Sequence, residues 1–307
     1  MATKTNFGRR AALGPMLAAV ATVSMTGPAG AQPTGGDFPQ TSPADSARFI
    51  AAADVAARIK AVCGAKRSAD GALSPVLLQS GAYSLQIACP ARLAGQAGQS
   101  QTRQLWLPIR GEATVRVISA KGGAPQDVVL SAGDAALIPA GPSYAFVPGK
   151  GAPVFLALGP LVPSPAETGS APLVVKDIPG TTARLAASVA AQSKAKDLIH
   201  LMQAPSPPLN LEYHAAVVPG VRTHTKEGEI FFVLQGAGAM DVGGRLVNPH
   251  RDGDDLVAAS STGGTLMELK AGDIIVMAPN TAYPITRVDG KLVLLSLHLP
   301  RASVTTP

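Results

Sequence analysis

Short apolar or alternating runs dominate the chain from about residue 74 onward, and glycine, proline and Asn/Asp turns separate them. Runs of this kind predict β-strands. A first set reads YSLQIAC, QLWLPI, ATVRVIS, QDVVLS, AALIPA, YAFVP and PVFLALG. A second set reads LNLEYHAAVV, EIFFVLQ, GAMDVG, TLMELK, DIIVMA, YPITRV and KLVLLSLHLP. The pattern therefore predicts an all-β protein with two groups of strands.

Helical patterns occur outside these two groups. Residues 42–64, SPADSARFIAAADVAARIKAVCG, predict an N-terminal helix that Ser42 can cap and Gly64 can end. Residues 158–172, LGPLVPSPAETGSAP, have the composition of a linker, and residues 181–202 after it predict a partly helical segment.

The two strand groups repeat each other. QLWLPIRGEATVRV parallels EIFFVLQGAGAMDV, and SAGDAALIPAGPSYAFV parallels KAGDIIVMAPNTAYPIT. The matched positions are Gly111 with Gly236, Gly133-Asp134 with Gly272-Asp273, and Tyr144 with Tyr283. Two similar units of short strands predict two small β-barrels or sandwiches in tandem. In the second unit, QGAGAMDVGG predicts a hairpin turn, and the extra residues VNPHRDGDDLVAASSTGG predict a polar loop.

The first residues have the pattern of an export signal. Lys4, Arg9 and Arg10 precede the apolar stretch AALGPMLAAVATVSM, and small residues at 29–31 precede Gln32. Secretion through the general route and through a twin-arginine route both remain open, and either predicts a periplasmic or secreted protein. The apolar stretch is too short and too rich in alanine for stable membrane insertion.

These patterns predict the following division of the chain: a signal peptide at 1–31, a flexible leader at 32–43, an N-terminal domain at 44–160, a linker with a helix at 161–204, a C-terminal domain at 205–300 and a tail at 301–307.

Composition excludes some classes of function. Hydrophobic residues make up 46% and charged residues 15% of the chain, so it can bury a core. Three of the 26 basic residues lie in the predicted signal, which leaves 23 basic against 20 acidic residues. This balance, without a dense Lys/Arg stripe, argues against a nucleic-acid partner.

The chain has two cysteines, Cys63 and Cys89. In an exported protein the oxidising compartment favours a disulfide between them. Two buried thiols are the alternative interpretation.

The most informative stretch is VRTHTKEGEIFFVLQGAGAMDVGG, residues 221–244. Gly220, His224, Glu229 and Gly236 follow the spacing of the first motif of the cupin superfamily, which this chain resembles. Arg222 stands where that motif has its first histidine.

A second motif points to the same family. Gly272-Asp273 is followed by IIVM and APNTAY, with Asn280 at the family's glycine position and Tyr283 at its histidine position. The tandem arrangement resembles a bicupin, and the second half resembles small bacterial cupins with a single histidine. The resemblance implies two jelly-roll-like β-barrels of cupin type.

The resemblance implies a site for a divalent transition metal, such as Fe, Mn, Zn or Ni, in the second barrel only. The first unit contains no histidine; Gln104 stands at the glutamate position and Tyr144 at the second-motif histidine. A barrel without histidine is a poor host for a transition metal. The first unit is therefore interpreted as structural, as a dimerisation face, or as a surface that packs on the second.

His224 and Glu229 are the predicted metal ligands, and either His298 or His214 can complete the set because both lie in apolar strands. The alternative is an internal ion pair of Glu229 with Arg222 or His224, without metal. His250 is expected to be exposed, and His200 to lie in the helical segment.

Other residues of the second barrel have predicted roles beside the metal. Glu229 and Tyr283 can move a proton. Arg222, Tyr283 and His214 are candidates for binding substrate. Lys226 and Glu227 are expected to face water.

Two hypotheses of function follow. In the first, an exported bicupin binds a divalent metal in its C-terminal barrel and acts on a small organic molecule as an oxygenase, lyase or isomerase. In the second, the bicupin binds a small molecule or has a structural role, without metal or catalysis. A homodimer is compatible with both.

Overall fold

The structure is a computed structural model that describes residues 47–64, 76–80, 83–90, 97–99, 102–118, 124–161, 172–203 and 208–300. The predicted signal, leader and tail lie outside the described residues, as does the predicted helix cap Ser42. The described chain is mostly β-strand in two repeated halves, with one helix before the first half and one in the linker, as predicted. No helix of the described part is long and apolar enough to cross a membrane.

The N-terminal half contains two sheets that face each other. Its elements are β1 (Ala47–Ile50), α1 (Ala52–Gly64), β2 (Val76–Ser80), β3 (Tyr83–Ala88), β4 (Ala97–Gln99), β5 (Arg103–Arg110), β6 (Glu112–Ile118), β7 (Gln126–Ser131), β8 (Ala135–Ile138), β9 (Ser143–Pro148) and β10 (Val154–Leu161). The linker adds β11 (Leu173–Val175) and α2 (Ile178–Gln192). The large sheet has the order β11-β8-β5-β10-β3-β2, and the small sheet has the order β4-β9-β6-β7.

The C-terminal half repeats this plan with more short strands. Its elements are β12 (Lys196–Met202), β13 (Leu209–His214), β14 (Val221–Thr223), β15 (Glu227–Val242), β16 (Arg245–Val247), β17 (His250–Asp252), β18 (Asp255–Ala258), β19 (Ser260–Thr262), β20 (Thr265–Lys270), β21 (Ile274–Met277) and β22 (Ile285–Pro300). The large sheet has the order β1-β21-β15-β22-β13-β12, with β20 paired to β15. The sheets of each half do not close into a barrel, so the architecture is an open jelly-roll.

The two halves exchange their leading strands. β1 precedes the N-terminal half in sequence, yet it pairs with β21 of the C-terminal half. β11 precedes the C-terminal half, yet it pairs with β8 of the N-terminal half. Each half therefore supplies the edge strand of the other half's large sheet, and backbone hydrogen bonds tie the halves together.

The Gly-Asp turn of each half binds the start of the helix that follows an exchanged strand. Asp273 accepts hydrogen bonds from the backbone N–H of Lys270 at 2.8 Å and of Ala52, the first residue of α1, at 2.7 Å. Its equivalent Asp134 accepts from the backbone N–H of Ser131 at 2.8 Å and of Asp177, which caps α2, at 3.3 Å. A carboxylate at a helix N-terminus is favourable because unpaired N–H groups and the helix dipole converge there.

A hydrophobic core lies between the two large sheets. Leu105 and Leu156 of the N-terminal half belong to the same buried cluster as Ile230 and Val293 of the C-terminal half. Separate apolar clusters fill the interior of each half. The large sheets are therefore covered on both faces, which explains why strands such as β21 read as uninterrupted apolar runs. The predicted packing of the first unit on the second is confirmed.

The structure corrects the predicted secondary structure at the start of each half. Residues 47–50 form β1, so the first helix begins at Ala52 and not near Ser42. In the linker the helix ends at Gln192, and His200 lies in strand β12, not in a helix. Pairing with neighbouring strands overrides local helical propensity in both segments.

Two predictions for the second unit are also wrong. Residues 227–242 form one bent strand, and Gly236, with φ of +80°, is a bulge in that strand and not a hairpin turn. A side chain there would collide with the backbone carbonyl of Lys291, so the close approach of β22 requires glycine. The expected polar loop around residues 247–264 contains β17, β18 and β19, and β18 pairs with β14 to form part of the wall of the cavity described below.

Cys63 at the end of α1 and Cys89 after β3 form a disulfide, with their Cα atoms 5.7 Å apart. The prediction of a disulfide, rather than two thiols, is confirmed.

We expect Asp273→Ala to lower the free energy of unfolding by about 1–3 kcal/mol, because two backbone N–H groups lose the buried carboxylate that accepts from them. Denaturant unfolding measures the loss. Asp289→Ala is the matched control, since Asp289 is exposed and only pairs with Arg287, and it should change stability by less than about 0.5 kcal/mol. Equal effects of the two substitutions would contradict an anchoring role for Asp273.

Candidate metal centre

The candidate site lies on the inner face of the large C-terminal sheet. Glu229 on β15 is the register partner of His298 on β22. His224 follows β14 on the opposite side of the cavity, where its backbone carbonyl accepts from the N–H of Asn280 at 2.8 Å. Alternation along the strands points Glu229 and His298 toward the same interior. The cavity they line has a volume of about 650 Å³.

Three side chains predicted as ligands come together. One ligand atom each from His224, Glu229 and His298 lies within 4.8 Å of the others. The two oxygens of Glu229 lie 3.8 Å from His224 Nε2 and 3.5 Å from His298 Nε2. The imidazole ring centroids are 4.7 Å apart. Of the two histidines considered as the missing ligand, the structure brings His298 to this cluster.

Carboxylates behind the two histidines fix their orientation. His224 Nδ1 lies 3.1 Å from Asp255, and His298 Nδ1 lies 2.7 Å from Glu227. Each carboxylate accepts a hydrogen bond from Nδ1–H, so each ring presents Nε2 to Glu229. Glu227 was expected to face water, and this expectation is wrong because the side chain accepts from His298.

Burial dominates the electrostatics of the cluster. Burial raises the pKa of Glu229 to about 7, against the opposing charge of His298. Burial also lowers the pKa of His224, and the charge of Asp255 offsets this only in part. For His298 burial acts downward, but the hydrogen bond to Glu227 and the charge of Glu229 raise its pKa above the ordinary value.

Tyr283 stands at the position where the second cupin motif has a histidine, and it contacts Glu229. Its hydroxyl donates to Glu229 Oε2 at 2.6 Å. Burial raises the pKa of Tyr283 well above 10, so the phenol keeps its proton at neutral pH and remains a donor. The structure thus places both residues predicted to move a proton in direct contact.

Arg222 lies at the cavity wall with its guanidinium directed at two carboxylates. It pairs with Asp252 at 2.7 Å and with Asp255 at 2.9 Å, and its side chain is 48% exposed. It does not pair with Glu229, which contradicts the alternative in which these two residues neutralise each other. Arg222 instead holds Asp255, which holds His224.

A second polar group lines the cavity beside the cluster. Glu212 accepts from Lys196 at 2.5 Å and from Ser296 at 2.9 Å, and its Oε2 lies 3.2 Å from His214 Nε2. Asn210 donates to Ser296 at 3.4 Å. Burial acts to raise the pKa of Glu212, but the hydrogen bonds from His214 and Lys196 hold it well below its usual range. His214 therefore belongs to this second polar group and not to the three-residue cluster.

Sequence reasoning missed Asp255, Glu212 and Lys196. Asp255 lies in the segment that was taken for a polar loop, and Lys196 in one taken for helix. Glu212 could have been found, because it alternates with Asn210 and His214 on one face of an otherwise apolar strand. His250 is exposed, as expected.

Comparisons with known proteins identify the fold. No family model and no curated protein matches the chain. A salicylate 1,2-dioxygenase from Pseudaminobacter salicylatoxidans matches with a TM-score of 0.57 at 11% identity, over 83% of this chain and 84% of that one. A variant of that enzyme in complex with gentisate matches with a TM-score of 0.54 at 13% identity, over 85% and 83%. A cupin 2 conserved barrel domain protein from Leptotrichia buccalis matches with a TM-score of 0.47 at 14% identity, over 75% and 88%.

The similarity to the dioxygenase, a bicupin, extends over both halves of the chain. This chain has a tandem cupin fold. At identities of 11% and 13% the similarity concerns the fold, and the chemistry of this chain depends on its own residues.

The N-terminal cupin half has a filled interior where the C-terminal half has its cavity. Gln104 pairs in register with Ile138 as Glu229 pairs with Met277, which confirms that Gln104 stands at the glutamate position. Its side chain accepts from Trp106 at 2.9 Å. The Trp106 ring in turn packs against Tyr144, Phe146 and Phe155 at centroid distances of 4.8, 5.0 and 6.3 Å. In the described part of this half, an aromatic cluster therefore lies beside the position equivalent to Glu229.

We expect Glu229→Gln to stabilise the metal-free cupin at pH 8 and to have little effect near pH 4.5. The pKa of Glu229 is about 7 in the folded protein and 4.5 ordinarily, so the wild type loses stability as pH rises through this window. The full shift corresponds to about 3 kcal/mol. Denaturant unfolding with chelator at several pH values between 4.5 and 8 measures it.

Glu227→Gln is the control with the opposite sign. The hydrogen bond from His298 lowers the pKa of Glu227, so this carboxylate stabilises the fold at neutral pH and the stabilisation is lost as pH falls through its folded pKa. The substitution should therefore cost stability at pH 7. A stability gain in both variants would show that Glu229 is not specifically strained by burial.

Proposed function

We propose that the C-terminal half binds one divalent transition metal through His224, Glu229 and His298, and that this cupin is a metal-dependent enzyme for a small organic molecule. The arrangement of the Nε2 atoms around Glu229 carries the proposal. Two ligand atoms that share a metal at about 2.1 Å with tetrahedral angles are about 3.4 Å apart. The two Nε2 atoms lie 3.5 and 3.8 Å from the Glu229 oxygens, too far for strong hydrogen bonds and close to that spacing.

The surrounding carboxylates support the same interpretation. Metal-binding histidines commonly donate their second ring N–H to a carboxylate, which fixes the tautomer and makes the ligand more basic. Asp255 and Glu227 occupy these positions for His224 and His298. A purely internal ion pair requires no such orientation of both rings.

The donor set favours oxygenase chemistry among the three reaction types. Two histidines and one carboxylate with open positions are the ligand set of non-haem Fe(II) oxygenases, so iron is the first candidate and Mn, Zn and Ni are the others. The similarity in fold to a salicylate 1,2-dioxygenase, and to its variant bound to gentisate, supports small hydroxylated organic acids as the first compounds to test.

Different residues of this chain would have different roles in the reaction. The metal would supply a Lewis acid that polarises a substrate oxygen. Tyr283 holds a proton at its hydroxyl next to Glu229 Oε2, and this hydroxyl is the group that would give a proton to the substrate while Glu229 binds the metal. The apolar wall of Phe231, Leu294 and Met240 excludes water around the reacting groups.

We expect chelator-treated protein, reloaded anaerobically with Fe(II), to bind about one metal per chain, and His224→Ala or His298→Ala to bind less than about 0.1. Elemental analysis after desalting measures the metal content. Bound metal should also raise the midpoint of thermal unfolding, because it binds the folded state alone.

His250→Ala is the matched control, since His250 is exposed on β17 and should leave the metal content unchanged. If wild-type protein stays below about 0.1 metal per chain with Fe, Mn, Zn and Ni, a metal-free ligand-binding cupin replaces this proposal. Binding of metal to both histidine variants would mean that other residues hold it.

We also propose that the protein is exported to the periplasm or beyond. The disulfide between Cys63 and Cys89 supports this, because disulfides persist in oxidising compartments. The full chain expressed in a bacterial host should yield a periplasmic protein whose measured mass matches a chain that begins at Gln32. Replacing Arg9 and Arg10 by lysine should block export only on the twin-arginine route. An uncut protein retained in the cytoplasm would contradict the proposal.

A further inference from the structure

One buried atom of the second polar group of the cavity has no hydrogen-bond partner. His200 Nδ1 lies 2.7 Å from Asn210 Oδ1, and Asn210 donates to Ser296, which donates to Glu212. Among the described residues that line the cavity, His214 Nδ1 is the only fully buried side-chain nitrogen or oxygen without a hydrogen-bond partner. The His214 residue is 3% exposed. Burying such an atom unpaired is unfavourable, which indicates that a ligand contacts it.

The chemistry of Glu212 decides what His214 Nδ1 can bind. Glu212 accepts hydrogen bonds from the Lys196 ammonium at 2.5 Å and from the Ser296 hydroxyl at 2.9 Å, as an ionised carboxylate does, and such a group can only accept. His214 Nε2, 3.2 Å away, must therefore carry the hydrogen. In the neutral ring Nδ1 then has a free lone pair, and its natural partner is an O–H donor.

The position of His214 fits the far end of a substrate held at the metal centre. His214 and Glu229 line the same cavity of about 650 Å³. On β22 the register partner of Glu229 is His298 and that of His214 is Leu292, so the two side chains lie toward different ends of one sheet face. Glu212 contacts His214 and accepts from Ser296 between these ends.

The cavity wall defines the rest of the ligand. Between the two polar ends lie Phe231, Leu294, Met240 and Ile285, which favour an apolar body. One carboxylate ligand leaves a divalent metal with net positive charge, which favours an anionic group at that end.

We propose that His214 Nδ1 accepts a hydrogen bond from a substrate hydroxyl, and that the substrate class is small organic acids with a hydroxyl group remote from their metal-binding oxygens. His214 is thus a specificity-determining residue for the site, and Glu212 is the residue that sets its tautomer. This inference rests on the proposed function for the metal-binding end of the ligand.

Salicylate and gentisate are suitable probes, because gentisate is salicylate with one further hydroxyl on the opposite side of the ring from the 2-hydroxyl. The iron-loaded wild type, kept anaerobic so that no turnover occurs, should bind gentisate about three- to tenfold more tightly than salicylate, as one hydrogen bond allows. Titration calorimetry gives both dissociation constants.

His214→Gln isolates the proposed contact. The glutamine amide can keep the donor that faces Glu212 while removing the acceptor at the Nδ1 position, so the variant should fold and bind metal. The affinity ratio of the two probes should fall to within about twofold of one. His250→Gln is the matched control: His250 is exposed on β17 and is not among the described residues that line the cavity, and the ratio should keep its wild-type value.

The outcomes separate this inference from the proposed function. An unchanged ratio in His214→Gln overturns the role of His214 while bound iron leaves the metal site intact. Failure of both probes to bind the iron-loaded protein overturns the substrate class. If no metal binds at all, the proposed function fails, and nitrogen NMR of labelled histidine still tests His214. We expect the Nε2–H tautomer in wild type and its loss in Glu212→Gln; an Nδ1–H tautomer in wild type overturns the inference.

Discussion

The packing of the two large sheets against each other is the constraint on which this protein depends. Each sheet carries apolar side chains on both faces and needs cover on both. The N-terminal half covers the outer face of the C-terminal sheet, so the strands of that sheet are held rigidly from behind. Because the outer face is packed, the inner face can carry carboxylates and histidines in place of apolar side chains. The N-terminal half thereby contributes to the site without lining it.

The exchanged strands make this packing reciprocal. β1 and β11 each complete the sheet of the opposite half, and a buried aspartate at the adjoining Gly-Asp turn ties the following helix down. Separating the halves would therefore expose a large apolar surface and also break two strand pairings. Neither half is expected to keep the edge of its large sheet without the strand from the other half. The stability of the candidate metal centre therefore depends on residues far from it in sequence.

The candidate site could be predicted from the sequence in part. His224 and Glu229 have motif spacing that fixes their place at the ends of neighbouring strands, and strand periodicity pointed His298 inward. Asp255 could not be predicted, because its segment has few apolar residues and its strands form by pairing with one another and with β14 and β16. The hairpin predicted at Gly236 was wrong because the sequence shows that glycine is required there but not whether the chain turns or bulges.

The sequence by itself determined the all-β class, the internal repeat, the loss of histidines from the first half and two of the three clustered side chains. Those features are local or periodic, and a periodic pattern can be read from the sequence without knowing which strands become neighbours in the fold. Only the tertiary structure decided which histidine joins Glu229, which carboxylates orient the rings, and that β1 belongs to the sheet of the other half. These are contacts between residues distant in sequence, and they follow from strand order and register, which no local pattern specifies.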